Sequence, residues 1–278
     1  MKVIRHTTAL QFLERAGASL EQAEAENNLI LGIAGFFKSH SGQLKVQPYF
    51  LTVDNDGTIV GAALITPPRR LLITSMPDRA MTLLADYLLA AGAPVPGVLG
   101  PEPEAKLFAD YWTSNTSRSS RPKMSERIYS CTAVIPPTYS PGRLRPAAQD
   151  DEALLSVWCV QFCLDARIED ETVYFKAQLP RKIADQSLYV WENDVVLSMA
   201  TVERDTAHGI AISWVYTPAH LRRQGYATTC VAALTQRMLD SGKQFCCLYT
   251  DLSNPTSNSI YQKIGYQPIC DVQDWIFE

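Results

Sequence analysis

The segment best suited to bind a charged ligand lies around Gly225, where a basic loop joins a predicted strand to a predicted helix. The first N–H groups of a helix lack intrahelical acceptors, and together with the helix dipole they favour an anion. Gly225 allows close approach of the backbone, and Arg222 and Arg223 add positive charge. The pattern predicts a diphosphate site. The GxGxxG loop of dinucleotide-binding folds and the Walker GxxxxGK[ST] loop are both absent.

Two motifs carry a family resemblance. Arg222-x-x-Gly225-x-Ala227 resembles the [RQ]xxGx[GA] pyrophosphate loop of the GNAT N-acetyltransferase superfamily. The segment from Asn254 to Tyr266 resembles the second hallmark of that family, a helix of the form N-x-x-[SA]-x-x-x-Y-x-[KR]-x-G-[FY]. The resemblance covers roughly residues 187–270. In the first half of the chain it extends only to the order of the predicted elements.

The resemblance implies how an acetyl-CoA donor would bind. The main chain of Val215, Tyr216 and Thr217 would pair with the pantetheine arm like an added strand. The residues that would wrap the pyrophosphate are Arg223, Gln224, Gly225, Tyr226, Ala227 and Thr228. Arg222 or Arg223 could also meet the nucleotide phosphate; the alternative is a solvated surface pair.

The second motif implies further roles. Asn254 or Asn258 would hydrogen-bond the cofactor arm, with helix capping as the alternative. Tyr261 would lie near the thioester sulfur and act as the general acid that protonates the departing thiolate. The alternative for Tyr261 is a tyrosine of the core.

The general base is left open. Many members of the family place a glutamate near the start of the strand that leads to the loop, and here residues 209–213 contain no carboxylate. The alternatives are nearby side chains or a water chain. These side chains are Asp165, Glu169, Asp170, Glu203 and His208.

Predicted strands and helices of the second half must hold the residues of the two motifs in place. Residues 187–192 and 195–203 predict a hairpin around Asn193-Asp194, and residues 210–217 predict the strand before the loop. Apolar residues between Ala227 and Met238 are spaced four, three and four positions apart, which predicts a helix. Gly242 is placed to cap its C-terminus. Asn254-Pro255 and Gly265 bound a shorter helix.

The first half predicts the same order of elements. Residues 49–53 and 59–66 predict a hairpin, and residues 21–37 and 78–91 predict helices. Where the pyrophosphate loop should stand, residues 75–80 contain no glycine, and Asp78 would oppose an anion. We therefore expect a proline-rich linker around residues 136–142, a degenerate GNAT-like domain at 1–139 and an acetyltransferase domain at 140–278.

Composition excludes several classes of protein. The 278 residues carry 25 basic and 29 acidic side chains, so the chain lacks the basic footprint of a nucleic-acid-binding protein. It contains no apolar run long enough for a membrane span and no apolar leader at the N-terminus. The seven cysteines form no CxxC pair and favour buried thiols in a cytoplasmic protein without a metal.

The resemblance implies a fold and a reaction. We expect an α/β protein of mixed sheets, with two GNAT-like acyl-CoA N-acyltransferase domains in tandem. We expect transfer of an acetyl group from acetyl-CoA to a primary amine of a small molecule or peptide, and a homodimer is possible. The alternatives are another acyl or aminoacyl transferase on the same scaffold, or a non-catalytic module that binds acyl-CoA.

Overall fold

The chain packs as two compact units in the computed structural model, which describes residues 1–40 and 47–278. Unit 1 contains residues 1–128, 250–253 and 269–278, and unit 2 contains residues 129–249 and 254–268. The boundary between residues 139 and 140 stays a prediction. The structure adds that the C-terminal residues 269–278 pack in unit 1, whereas the sequence analysis groups them with the second domain.

Unit 1 is built on a mixed sheet in the order β1-β2-β3-β4-β5-β12. Only β4 and β5 are parallel in this set; the other neighbours are antiparallel. The elements that lie wholly or mainly in this unit are β1 (Lys2–His6), α1 (Ala9–Glu21), α2 (Asn28–Ser39), β2 (Tyr49–Asn55), β3 (Thr58–Ile65), β4 (Leu71–Ile73), α3 (Asp78–Ala90), β5 (Gly97–Pro101), α4 (Glu102–Ser114), β6 (Ser120–Cys131) and β12 (Gln267–Phe277).

Strand β3 shows why this sheet has two covered faces. Successive side chains of a strand point to opposite faces. Ala63 and Ile65 join the core beneath α3 and α4, while Ala62 and Leu64 join the core beneath α1 and α2. All four are buried, so β3 reads as a continuous apolar run rather than an alternating one.

The prediction of one helix over residues 21–37 was wrong. The structure has two helices, α1 and α2, separated by a turn. Thr8 caps α1 by accepting a hydrogen bond from the Gln11 amide, and Phe12, Ala16 and Leu20 bury one face of it at helical spacing. The hairpin around Asp56-Gly57 and the helix from Asp78 are confirmed.

Unit 2 has strands in the order β11-β10-β9-β8-β7. Its elements are β7 (Arg143–Pro146), α5 (Glu152–Asp165), α6 (Thr172–Ala184), β8 (Leu188–Asn193), β9 (Val195–Glu203), β10 (Gly209–Tyr216), α7 (Tyr226–Asp240), β11 (Phe245–Asp251) and α8 (Pro255–Lys263). Helix α7 covers one face of the sheet, and α5 and α6 cover the other.

Helix α6 is not predicted by the sequence pattern. Pro180 lies inside this helix, where a proline removes a main-chain hydrogen bond and usually ends a helix. Leu179 and Ile183 are nevertheless buried against Leu155 and Cys159 of α5. Tertiary packing of this apolar face therefore stabilises a helix that its own sequence disfavours.

The chain contains the same order of elements twice. A strand, two helices, three strands, a helix, a strand, a helix and a strand run from β1 to β6, and the same series runs from β7 to β12. The mixed α/β class and the tandem arrangement predicted from the sequence are confirmed.

Removing a buried side chain from α3 should destabilise unit 1. Leu84 is fully buried, so Leu84→Ala should lower the free energy of unfolding by about 3 kcal/mol through lost apolar contacts and a residual cavity. Leu10 is 46% exposed, and Leu10→Ala should change it by less than about 0.5 kcal/mol. Urea denaturation measures both, and equal effects would contradict the packing described.

Candidate functional site

Strand β10 separates from β11 partway along its length. The two strands are parallel and pair only from Gly209 to Ala211 on β10, opposite Phe245 to Cys247 on β11. Strand β10 continues to Tyr216. In the part of the chain that the structure describes, no strand pairs with that edge of β10 beyond Ala211. The last residues of β10 thus offer an edge to which an extended group could add.

A β-bulge reshapes β10 just before this edge ends. The register with β9 shifts between Ser213 and Tyr216, and Trp214 has a φ of +49°, which is unfavourable for a bulky side chain. The indole is 3% exposed. Its ring lies 4.5 Å from the Phe175 ring, and the Lys182 ammonium lies 4.8 Å above it. These two contacts hold the strained residue in place.

The structure places hydrogen bonds on two of the three main-chain groups predicted to pair with the pantetheine arm. The Ser198 hydroxyl donates to the Tyr216 carbonyl at 3.0 Å, and the Arg222 Nε donates to the Thr217 carbonyl at 3.0 Å. Thr217 also donates its hydroxyl to Ser198 at 2.9 Å. A carbonyl oxygen has two lone pairs, so each can accept a second bond.

The loop after β10 presents free amides at the start of α7. Arg223 and Gly225 have φ values of +64° and +84°. The first hydrogen bond of the helix runs from the Thr229 amide to the Gly225 carbonyl, at 2.9 Å. The amides of residues 226–228 precede it and have no acceptor within the helix. The first turn carries no acidic side chain, so the positive end of the helix dipole is not neutralised there.

The two arginines of the loop have different surroundings. Arg222 forms an ion pair with Asp165, and its guanidinium also holds the Thr217 carbonyl. Arg223 is exposed and has no ion-pair partner among the described residues. Arg223 is therefore the arginine whose charge stays available to an anion, while Arg222 braces the end of β10.

The two asparagines of the second motif are engaged within unit 2. Asn254 caps α8, because its side chain accepts a hydrogen bond from the Ser257 amide at 3.1 Å. This is the capping alternative of the sequence analysis. The Asn258 amide donates to the Asn254 carbonyl at 2.7 Å and accepts from the Tyr129 hydroxyl at 3.0 Å. Tyr129, which the sequence analysis did not single out, thus fixes the start of α8.

Tyr261 is largely buried, and its hydroxyl makes no hydrogen bond to a described residue. Its side chain is 7% exposed and packs edge-on against the Tyr266 ring, with centroids 6.0 Å apart. Buried tyrosines usually find a hydrogen-bond partner, and Tyr266 does so with the Thr235 hydroxyl at 2.7 Å. The described residues provide none to Tyr261. Burial raises its pKa well above the ordinary value, so the phenol keeps its proton at neutral pH.

The candidate bases are distributed around the second unit. Glu203 binds Lys182 at 2.6 Å and Arg204 at 3.3 Å, and Asp165 binds Arg222. Glu169 and Asp170 lie in an exposed 3-10 turn before α6, and His208 lies in the exposed loop before β10. The arrangement singles out none of them.

The described residues of unit 1 form no counterpart of the anion site. Helix α3 follows β4 as α7 follows β10, but Pro77 precedes it and Asp78 lies in its first turn. A proline has no N–H to donate, and the carboxylate places negative charge at the positive end of the helix. That the first half is degenerate stays a prediction.

The cysteines are all free thiols. Six are buried and Cys270 is half-buried. Burial raises the pKa of Cys159 to about 11, so this thiol stays protonated at neutral pH. Within the described ranges, no three His, Cys, Asp or Glu side chains cluster as metal ligands. None of the helices in those ranges is both long and apolar enough to cross a membrane.

Comparison with known proteins supports the resemblance seen in the motifs. Residues 194–276 match the FR47-like protein family. No curated protein matches the chain.

Solved structures match the fold over nearly the whole chain. A GNAT-family acetyltransferase from Colwellia psychrerythraea covers 100% of both chains at 12% identity with a TM-score of 0.60. A GCN5-related N-acetyltransferase from Sphaerobacter thermophilus covers 99% of this chain and 95% of its own at 14% identity and a TM-score of 0.64. A tandem GNAT protein from the clavulanic acid biosynthesis pathway covers 100% and 98% at 11% identity and a TM-score of 0.57.

The two tyrosines allow a test of which one is structural. Tyr261→Phe should leave the free energy of unfolding within about 0.5 kcal/mol of wild type, because no hydrogen bond is lost. Tyr266→Phe should cost about 1 to 2 kcal/mol, because it leaves the buried Thr235 hydroxyl without its partner. Chemical denaturation compares them, and a larger loss for Tyr261→Phe would show that its hydroxyl supports the fold.

Proposed function

Because the chain has the fold of the GNAT superfamily, we propose that its second unit is an acetyl-CoA-dependent N-acetyltransferase acting on a primary amine. The observation that supports this best is the pairing of two features. Free amides at the start of α7 follow directly on the open edge of β10. The first suits a diphosphate and the second suits an extended, amide-containing arm.

Residues of the loop would hold the donor. The amides from Gly225 to Thr228 would donate to the diphosphate oxygens, with Arg223 adding charge at the exposed side. Val215 to Thr217 would bind the pantetheine arm through their main chain. Asn254 and Asn258 already have partners within unit 2, so we assign them the positioning of α8 rather than direct donor contact.

Tyr261 would serve the leaving group. In the proposed reaction the amine nitrogen forms a bond to the acetyl carbon, and the bond from that carbon to sulfur breaks. The Tyr261 phenol gives its proton to the departing sulfur, and the attacking nitrogen loses one proton to water or to a base. That proton then returns to the Tyr261 phenolate through solvent, which restores the acid. The products are an amide and a free thiol. Burial keeps the phenol protonated until that step. Main-chain amides at the end of β10 would stabilise the developing oxyanion.

The acceptor is assigned only as a primary amine. A formal charge of −4 favours a cationic acceptor weakly. A thermal-shift screen of acetyl-CoA, longer acyl-CoAs and aminoacyl donors would identify the donor, because a ligand that binds only the folded state raises the melting temperature. Preference for a bulkier donor would favour the wider acyltransferase alternative. Tight binding without product from a broad amine panel would favour a non-catalytic module.

Filling the space at Gly225 should abolish donor binding. Gly225→Glu adds a side chain at a φ of +84° and a negative charge where the diphosphate would lie. We expect at least about a hundred-fold rise in the Kd of acetyl-CoA, measured by calorimetry. Gly242→Ala is the matched control. Gly242 follows the other end of α7 at a φ of +103°, with no atom within 4 Å of the added carbon. Wild-type affinity in Gly225→Glu would overturn the donor site.

Removing the Tyr261 hydroxyl should slow the chemical step. Tyr261→Phe should lower kcat by about a hundred-fold, the lower range for loss of a general acid. The Kd of acetyl-CoA should change less than about two-fold, because the ring remains in place. Thiol release in the presence of an accepted amine measures kcat. Tyr266→Phe is the control, since its hydroxyl is occupied by Thr235. An unchanged kcat in Tyr261→Phe would remove the acid role.

A further inference from the structure

Ser140 of the proline-rich linker bonds directly to the loop at the start of α7. Its hydroxyl donates to the Gln224 carbonyl at 3.0 Å. Its main-chain amide donates to the Thr229 hydroxyl at 3.0 Å, and the two hydroxyl oxygens lie 3.4 Å apart. A carbon added to Gly225 would also lie 3.0 Å from the Ser140 hydroxyl. The sequence predicts this linker only as a connection, yet one of its residues contacts both the loop and the first turn of the helix.

The loop needs such a contact because its backbone is unfavourable. Gln224 lies between two residues in the left-handed region, Arg223 at a φ of +64° and Gly225 at +84°. Glycine adopts this conformation freely, but a side chain such as that of Arg223 disfavours it. Residues 222–225 are exposed, so core packing does not hold them. The hydrogen bond from Ser140 fixes the peptide between Gln224 and Gly225.

Because a peptide unit is rigid, the hydrogen bond to the Gln224 carbonyl also fixes the direction of the Gly225 amide at the anion site. In a trans peptide the C=O and the N–H point in opposite directions from one rigid plane. The only cis peptide among the described residues is Pro67-Pro68, so the bond between Gln224 and Gly225 is trans. Because Ser140 holds the Gln224 carbonyl on the linker side, the Gly225 amide must point away from the linker. It therefore joins the free amides of residues 226–228 as a donor.

We propose that Ser140 is a positioning residue, which orients the Gly225 amide toward the diphosphate of the donor. The assignment rests on the proposed function, in which this loop binds coenzyme A. Ser140 itself does not contact the donor. It acts by holding the loop in its binding conformation before the ligand arrives, so that less conformational entropy is lost on binding.

The test compares coenzyme A with S-acetylpantetheine, which keeps the pantetheine arm but lacks the diphosphate and its nucleoside. Ser140→Ala should raise the Kd of coenzyme A about five-fold, the effect of one lost hydrogen bond. It should leave the Kd of S-acetylpantetheine, which lacks the diphosphate, unchanged. Calorimetry measures the first and ligand-observed NMR the second. Ser140→Thr, which keeps a hydroxyl, should restore most of the affinity for coenzyme A.

Two further variants separate the Ser140 contact from a general effect of altering the linker. Thr138→Ala removes an exposed hydroxyl from the same linker and should leave both affinities at wild-type values. Thr229→Val removes the acceptor of the Ser140 amide from the helix side. It should lower the affinity for coenzyme A and leave the affinity for S-acetylpantetheine unchanged. If Ser140→Ala does not fold, this variant tests the proposal independently.

The outcomes separate this proposal from the one on which it rests. If Ser140→Ala binds coenzyme A with wild-type affinity, or loses affinity equally for both ligands, the positioning role of Ser140 is wrong. The proposed function would not be affected by that result. Failure of the wild-type protein to bind coenzyme A would overturn the proposed function and this assignment with it.

Discussion

The unpaired main-chain N–H groups at the start of α7 are the constraint on which the surrounding loop depends. A helix cannot satisfy its own first N–H groups, and the residues at this helix terminus do not do so either. Gly225 has no side chain to cap the helix, and the first turn carries no carboxylate. These donors are therefore available to the diphosphate of the proposed function, and in the described structure neither the linker nor β10 covers them. In the proposed function, binding of the diphosphate would offset the stability that an uncapped helix end lacks.

Strand β10 meets a related constraint. A strand that parts from its neighbour leaves main-chain groups without partners, which is unfavourable unless water or a ligand satisfies them. The bulge at Trp214 lies at this point, and the strained residue is held by Phe175 and by the ammonium of Lys182. Lys182 is in turn neutralised by Glu203. A buried ion pair thus supports the backbone shape of the strand, a role more consistent with its contacts than proton transfer.

The two halves of the chain differ at the helix terminus where the diphosphate site is proposed. Both contain the same order of elements, and both place a helix after the fourth strand. In unit 1 the helix begins after Pro77 and carries Asp78 in its first turn, so it offers fewer donors and an unfavourable charge. In unit 2 it begins after Gly225. The architecture is shared, and the local chemistry of one helix terminus differs.

The sequence by itself determined the elements and chemistry encoded by neighbouring residues. The glycine before α7, the asparagine that caps α8 with the proline that begins it, and the hairpin at Asp56-Gly57 depend on local backbone preferences and hydrogen bonds. Short motifs therefore predict them. The repeated element order was readable only in part, because the separation of α1 from α2 and the presence of α6 were not predicted.

Only the tertiary structure decided the contacts between distant residues. Helix α6 exists because its apolar face packs on α5, despite Pro180. The partner of Asn258 is Tyr129, and the partner of the Gln224 carbonyl is Ser140, each far away in sequence. The C-terminal strand β12 pairs with β5 in unit 1. Motif spacing carries no information about such partners, because they depend on which surfaces bury each other once the whole chain has folded.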